Sequence, residues 1–270
     1  MLHAVFRVGN MEASIAFYEA ALGAKLLRFR EVPEEKYSNA FLGFGPEASH
    51  FALELTYNYG VDSYDLGSGF GHFGLAVPDV AAAVERVRAA GGTVTREAGP
   101  VKGGSTVIAF VRDPTGYSWE LIQRAGGPIR DPLAQVMLRV TDLDAAVKYY
   151  TEALGLTLLR TRDNEAGQYS LAFLGYAPED EACVFELTHN WGKASADAYP
   201  GSFLGGGYAQ VAISTRDVFK TAAQVEAAGG KVTRPPGPVP GIGTKITATT
   251  DPDGWKVVFV DEADFNAELA

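Results

Sequence analysis

A chain of 270 residues with 47% hydrophobic and 21% charged residues is ordinary globular material, which excludes a disordered, collagenous or low-complexity polymer. Its formal charge of −10 makes it a poor non-specific partner for nucleic acid or an anionic membrane surface, and no apolar run is long enough to span a bilayer. A single cysteine, Cys183, excludes an intrachain disulfide and a thiolate metal cluster.

In chain order, residues 5–8 alternate as a short strand. Residues 11–22 carry Ile15, Tyr18 and Leu22 at helical spacing and stop at Gly23, which predicts one helix with a glycine C-cap. Strand-like runs follow at 25–30, 38–43 and 51–57. A second series has a strand at 72–77, a helix at 80–90 closed by Gly91-Gly92, and strands at 93–97, 106–112 and 118–123. Asp113-Pro114-Thr115-Gly116 is the turn between the last two.

The remainder repeats this series. Residues 5–60 align with 137–192 at a constant offset of 132: Tyr18 meets Tyr150, Tyr37-Ser38 meets Tyr169-Ser170, and Glu54-Leu55-Thr56 meets Glu186-Leu187-Thr188. Further on the offset is 138, so that Asp113-Pro114 meets Asp251-Pro252. A period this long marks a duplicated domain rather than a solenoid unit. The breaker-rich junction predicts domains at 1–126 and 135–270 joined by a linker at 127–134. The fold class expected is α+β, with four βαβββ modules in two tandem domains.

Strand side chains alternate between two faces. In residues 53–58 the leucines oppose Glu54, Thr56 and Asn58, and Phe185 and Leu187 oppose Glu186, Thr188 and Asn190 in the second copy. Gln135 shares a face with Arg139, as His3 does with Arg7, and Glu120 opposes Trp119 and Leu121. An isolated strand glutamate reads as a solvated face. His3, Glu54, His72 and Glu120 together form a set with the nitrogen and oxygen donors of a six-coordinate divalent metal site.

The segments ELTYNYGVD, GHFGLAV, TREAGPVKGGSTVIAFVRDPTGY and WELI resemble glyoxalase I, the lactoylglutathione lyases of the vicinal oxygen chelate superfamily. The two-copy arrangement is similar to the monomeric enzymes of plants and yeast. The resemblance implies curved sheets enclosing a metal site, with ligands crossing between copies. One site then joins Gln135 and Glu186 to His72 and Glu120. The other joins His3 and Glu54 to the end of copy two, where Val258 replaces Glu120 and either Tyr208 or Gln210 replaces His72, leaving it degenerate. A rival set, His3, Glu54, His72 and Glu120 within copy one, is also complete.

The same resemblance implies isomerisation of the methylglyoxal–glutathione hemithioacetal to S-D-lactoylglutathione by proton transfer through an enediolate. Glu120 would be the principal base and Glu186 the base for the other stereoisomer. It implies one divalent metal ion, with Ni²⁺ favoured over Co²⁺ or Zn²⁺, and glutathione as part of the substrate. Arg139 and Asn190 would grip the glutamyl end and Lys102 the glycyl carboxylate. In copy two that loop reads GPVPGIG and lacks the lysine. Expected alongside are a small-molecule partner only, with no nucleic acid and no membrane, and a pseudo-dimeric monomer. The expected compartment is the cytoplasm, or a plastid had a transit peptide been removed before residue 1. Alternatives are another superfamily enzyme, an epimerase or transferase, and a non-catalytic binding module. An iron-dependent ring-cleaving dioxygenase fits less well, since the crossed set offers one His, one Gln and two Glu where such sites use two His and one carboxylate.

Overall fold

The computed structural model describes residues 1–102, 104–124, 129–199 and 203–270. Among these the chain forms four βαβββ modules. The first comprises β1 (His3–Arg7), α1 (Met11–Phe17), β2 (Lys25–Val32), β3 (Tyr37–Gly43) and β4 (Ala52–Asn58). The second comprises β5 (Phe70–Val77), α2 (Val80–Ala89), β6 (Thr93–Pro100), β7 (Val107–Arg112) and β8 (Ser118–Gln123). The third runs β9 (Leu133–Arg139), α3 (Leu143–Glu152), β10 (Thr157–Asn164), β11 (Tyr169–Gly175) and β12 (Val184–Asn190). The fourth runs β13 (Tyr208–Thr215), α4 (Val218–Ala227), β14 (Lys231–Pro238), β15 (Lys245–Thr250) and β16 (Lys256–Asp261), followed by α5 (Glu262–Glu268).

Each main helix starts the same way. The side chains of Asn10, Asp79, Asp142 and Asp217 accept backbone N–H groups of the first turn, satisfying donors that a helix start leaves open. The helix expected over 11–22 is not uniform. It is α-helical to Phe17 and then widens into a π-helical turn, Tyr18–Leu22, before Gly23 ends it at a φ of 79°. The Tyr18 hydroxyl at the start of that turn donates to the buried Asp113 carboxylate, and Tyr150 donates to Asp251 in the second copy at 3.2 Å. These bonds tie the two modules of each copy together.

The sheets, however, are shared between copies. Sheet I has the order β14-β15-β16-β13-β1-β4-β3-β2 and sheet II the order β10-β11-β12-β9-β5-β8-β7-β6. The first and fourth modules therefore make one sheet, joined at the antiparallel β1–β13 seam, and the second and third make the other, joined at β5–β9. Between them lies a core containing Phe6, Tyr18, Phe73, Tyr117, Trp119, Tyr150 and Phe185, all fully buried. Each such side chain contributes roughly 1.5–3 kcal/mol of burial free energy.

Of the junction expected at 127–134, residues 127 and 128 lie outside the described residues, as does the expected domain end at 126. Leu133 and Ala134 already pair in β9. Among the described residues no helix is long and apolar enough to cross a membrane.

Candidate metal and substrate site

Sheet II gathers three titratable side chains at its centre. His72 Nε2 lies 3.3 Å from Glu120 Oε2 and 3.5 Å from Glu186 Oε2, and one donor atom from each residue falls within 4.8 Å of the others. His72 comes from β5, Glu120 from β8 and Glu186 from β12. Gln135, on β9, sits directly across from Gly74 of β5. All four line one cavity of about 450 Å³. His72, Gln135 and Glu186 are buried and Glu120 is half-buried. Burial lowers the His72 pKa, but hydrogen bonding and charge from Glu120 and Glu186 outweigh it and hold the imidazole at about 9. Gln135 Oε1 is buried with no hydrogen-bond partner. Buried polar atoms are rarely left so. Two carboxylates, an imidazole nitrogen and an amide oxygen facing a common space form the donor set of a divalent metal, so the residues fit such an ion.

The same cavity is lined by Arg139, Arg160, Arg162 and Asn190. Arg139 Nη1 donates to the carbonyls of Ser68 at 2.9 Å and Phe70 at 3.3 Å. Among the described residues no carboxylate pairs with it, and burial lowers its pKa. It is a fixed, partly desolvated cation suited to an incoming anion. Arg160 pairs with Glu179 and stacks 3.5 Å over Phe173. A contiguous cavity of about 820 Å³ adds Arg112, Lys193 and Tyr199 around Arg139 and Asn190. Lys102 is exposed on the turn after Val101 and is not part of the wall, although Val101 is.

Sheet I repeats the frame with different residues. His3 Nε2 lies 3.0 Å from Glu54 Oε2, beside a cavity of about 360 Å³. Val5 pairs with Gln210 as Met137 pairs with His72, so Gln210 rather than Tyr208 holds the place of His72. Val258 pairs with Ala212 as Glu120 pairs with Gly74, and thus holds the place of Glu120. The rival set within copy one is not assembled: His3 and Glu54 stand on sheet I, His72 and Glu120 on sheet II.

A family model for the glyoxalase/bleomycin resistance protein/dioxygenase superfamily matches residues 1–121 and again 133–259. The chain belongs to this superfamily. Over 269 residues it is 61% identical to a probable chloroplastic lactoylglutathione lyase of Arabidopsis thaliana, covering 100% of this chain and 75% of that one. A lactoylglutathione lyase of Salmonella typhimurium is 60% identical over 123 residues, 46% of this chain but 91% of its own, so one copy here corresponds to nearly all of that protein. The crystal structure of glyoxalase I from Zea mays superposes with a TM-score of 0.92 at 56% identity, covering 100% of this chain and 94% of that chain. The tandem glyoxalase fold is therefore that of the plant-type members.

Several cavity residues of this superfamily member escaped the reading of the sequence. Arg160 and Arg162 face the cavity from β10, and Arg112 and Lys193 face its extension. Period-two alternation in LLRTR could have flagged the first pair; nothing in the sequence placed Arg112 or Lys193 near Arg139.

Proposed function

We propose that the chain is a lactoylglutathione lyase, isomerising the methylglyoxal–glutathione hemithioacetal to S-D-lactoylglutathione at the sheet II cavity. The carrying observation is the convergence of His72, Glu120 and Glu186 with the partnerless Gln135 Oε1. The full-length likeness to lactoylglutathione lyases supports it.

Gln135, Glu186, His72 and Glu120 would hold one divalent metal ion. Such an ion polarises the substrate oxygens and stabilises the charge that develops on them. Glu120 takes the proton from the carbon bearing sulfur and returns it to the neighbouring carbon. Glu186, across the cavity, takes the proton from the carbon bearing sulfur of the opposite stereoisomer. Arg139 and Asn190 grip the glutamyl end of glutathione, and Lys102, from the loop after Val101, reaches the glycyl carboxylate. The donor set suits Ni²⁺, with Co²⁺ and Zn²⁺ as alternatives; resemblance of residues 95–104 to nickel-type enzymes favours the first. Both sheets close within one chain, which supports a pseudo-dimeric monomer of two domains, 1–126 and 135–270. The proposed compartment is the cytoplasm or, given the chloroplastic relative, a plastid.

The test adds Ni²⁺, Co²⁺, Zn²⁺ or Mg²⁺ to chelator-treated protein and follows thioester absorbance with methylglyoxal and glutathione. Absence of turnover with every metal overturns the reading. Metal analysis of the untreated protein decides among the ions.

A further inference from the structure

We infer that the cavity of sheet I is a second, non-catalytic binding site for a small molecule that joins a carboxylate to an apolar body, and that α5 fills it when that ligand is absent.

The helix itself shows what the cavity accepts. Glu268 Oε2 accepts from Arg28 Nη1 at 3.1 Å and Arg30 Nη1 at 3.3 Å, and Oε1 accepts from the Thr244 hydroxyl. One turn earlier, Phe265 is buried in an apolar cluster with Ala212, Ala248, Val258 and Val260, its ring 6.1 Å from that of His3. A carboxylate and an aromatic side chain from one short helix thus occupy a cationic end and an apolar floor.

The equivalent place in sheet II carries no such plug. Arg160 and Arg162, the counterparts of Arg28 and Arg30, line the 450 Å³ cavity, and among the described residues no helix follows β8.

The charge of the site also fits. With Glu268 removed, Arg7, Arg28 and Arg30 face Glu54 across the cavity, and Glu47 pairs with Arg28 at its far side. This is a local excess of positive charge in a chain of net charge −10. His3 Nδ1 and Arg30 Nε are buried without hydrogen-bond partners, so α5 leaves polar groups unsatisfied. Val258 in the place of Glu120 removes a metal ligand, so binding here requires no ion. A helix of seven residues is marginal alone, and its anchors on β15 are half-buried: the Lys245 backbone N–H at 2.8 Å and the Lys245 ammonium at 2.5 Å both meet Asp264 Oδ2. A ligand carrying both a carboxylate and an apolar group would replace the contacts of Glu268 and Phe265 that α5 gives up on leaving.

The probe is S-hexylglutathione, a dicarboxylate with an alkyl chain, titrated calorimetrically into the metal-loaded full chain. Hydrogen exchange of residues 262–268 is followed in parallel. Two binding events are expected. The one at sheet I tightens about tenfold in Glu268→Ala, because the competent fraction rises, and disappears in Arg30→Ala. Turnover at sheet II stays unchanged in both variants. In the wild type, exchange in α5 rises as the second event saturates. A single event, insensitive to both variants and leaving α5 exchange unchanged, overturns the inference. Loss of turnover with every metal would refute the lyase reading alone, since the α5 readouts do not depend on it.

Discussion

Gly74 offers a sharp test of the sheet II site because it touches no substrate and carries no chemistry. It lies directly opposite Gln135 in the β5–β9 seam. A Cβ at this position would stand 2.5 Å from Gln135 Oε1, 2.8 Å from its Cβ and 3.2 Å from its Cδ. Rotation of the Gln135 side chain relieves the first contact but moves the amide oxygen out of the cavity. The second involves Cβ, which only a backbone shift can relieve. Gly74→Ala therefore costs stability by overpacking, roughly 1–3 kcal/mol. At about 2–4 °C per kcal/mol for a chain of this size, the midpoint of thermal unfolding falls by roughly 2–12 °C. Metal affinity and turnover fall about 10–100-fold, the range for disturbing the support of a metal ligand. Metal content by mass spectrometry, turnover by thioester absorbance and thermal unfolding measure the three. Sheet I supplies the control, since Ala212 already stands in this place opposite His3 and Ala212→Gly should leave turnover intact. A Gly74→Ala protein with native metal content and native turnover would refute the placement of Gln135 as a ligand.

Glu120→Ala or Glu186→Ala should lower turnover by about 10²–10⁴, while His3→Ala and Glu54→Ala change it less than about twofold. The reverse pattern would put the chemistry on sheet I. Arg139→Ala should raise KM about 10–100-fold, as expected for losing a charged hydrogen bond of about 1.5–3 kcal/mol, with kcat nearly constant; a kcat effect alone would contradict a binding role. Asp251 is raised to about 7, chiefly by burial, which the backbone N–H groups of Trp255 and Asp253 only partly offset. The fold therefore prefers its protonated form, and the stability this provides is complete below about pH 4 and lost as pH rises to 7. Relative to Asp251→Asn, the wild type should lose on the order of 4 kcal/mol over that window in denaturant titrations, and a constant difference would show that the carboxyl ionises normally.

Local pattern made much of the site legible. Alternation along ELT, together with the offset of 132, put Glu54 and Glu186 on cavity-facing positions, and both line cavities. The place of His72 in copy two stayed ambiguous for a structural reason. The β1–β13 and β5–β9 seams both shift register, between Val5 and Phe6 and between Phe70 and His72, and the length difference between copies falls in the preceding segment. The same shift occurs at equivalent residues in both seams and leaves the offset unchanged, so placement of the length difference alone left Tyr208 and Gln210 open until the strand pairing fixed Gln210. The exchange of modules between sheets is likewise invisible to periodicity, because each strand keeps the same alternation whichever neighbour it pairs with. The contact of Glu268 with Arg28 and Arg30 spans nearly the whole chain and has no local signature.

The position of the seams explains why the copies could diverge at one site and not the other. Each cavity draws half its wall from each copy, and the donor losses that distinguish sheet I lie in its copy-two half. Gln210, Ala212 and Val258 are all there, whereas His3 and Glu54, its copy-one half, keep an imidazole and a carboxylate. In a symmetric dimer of identical chains, a valine in the place of Glu120 would appear in both sites at once. In a fused chain it appears in one. Once the carboxylate is gone from that floor, the space favours apolar contact, and Phe265 packs on Val258 and Ala212 there. Sheet II, whose floor keeps Glu120, retains Gly74 opposite Gln135 and the open cavity that metal and substrate both require.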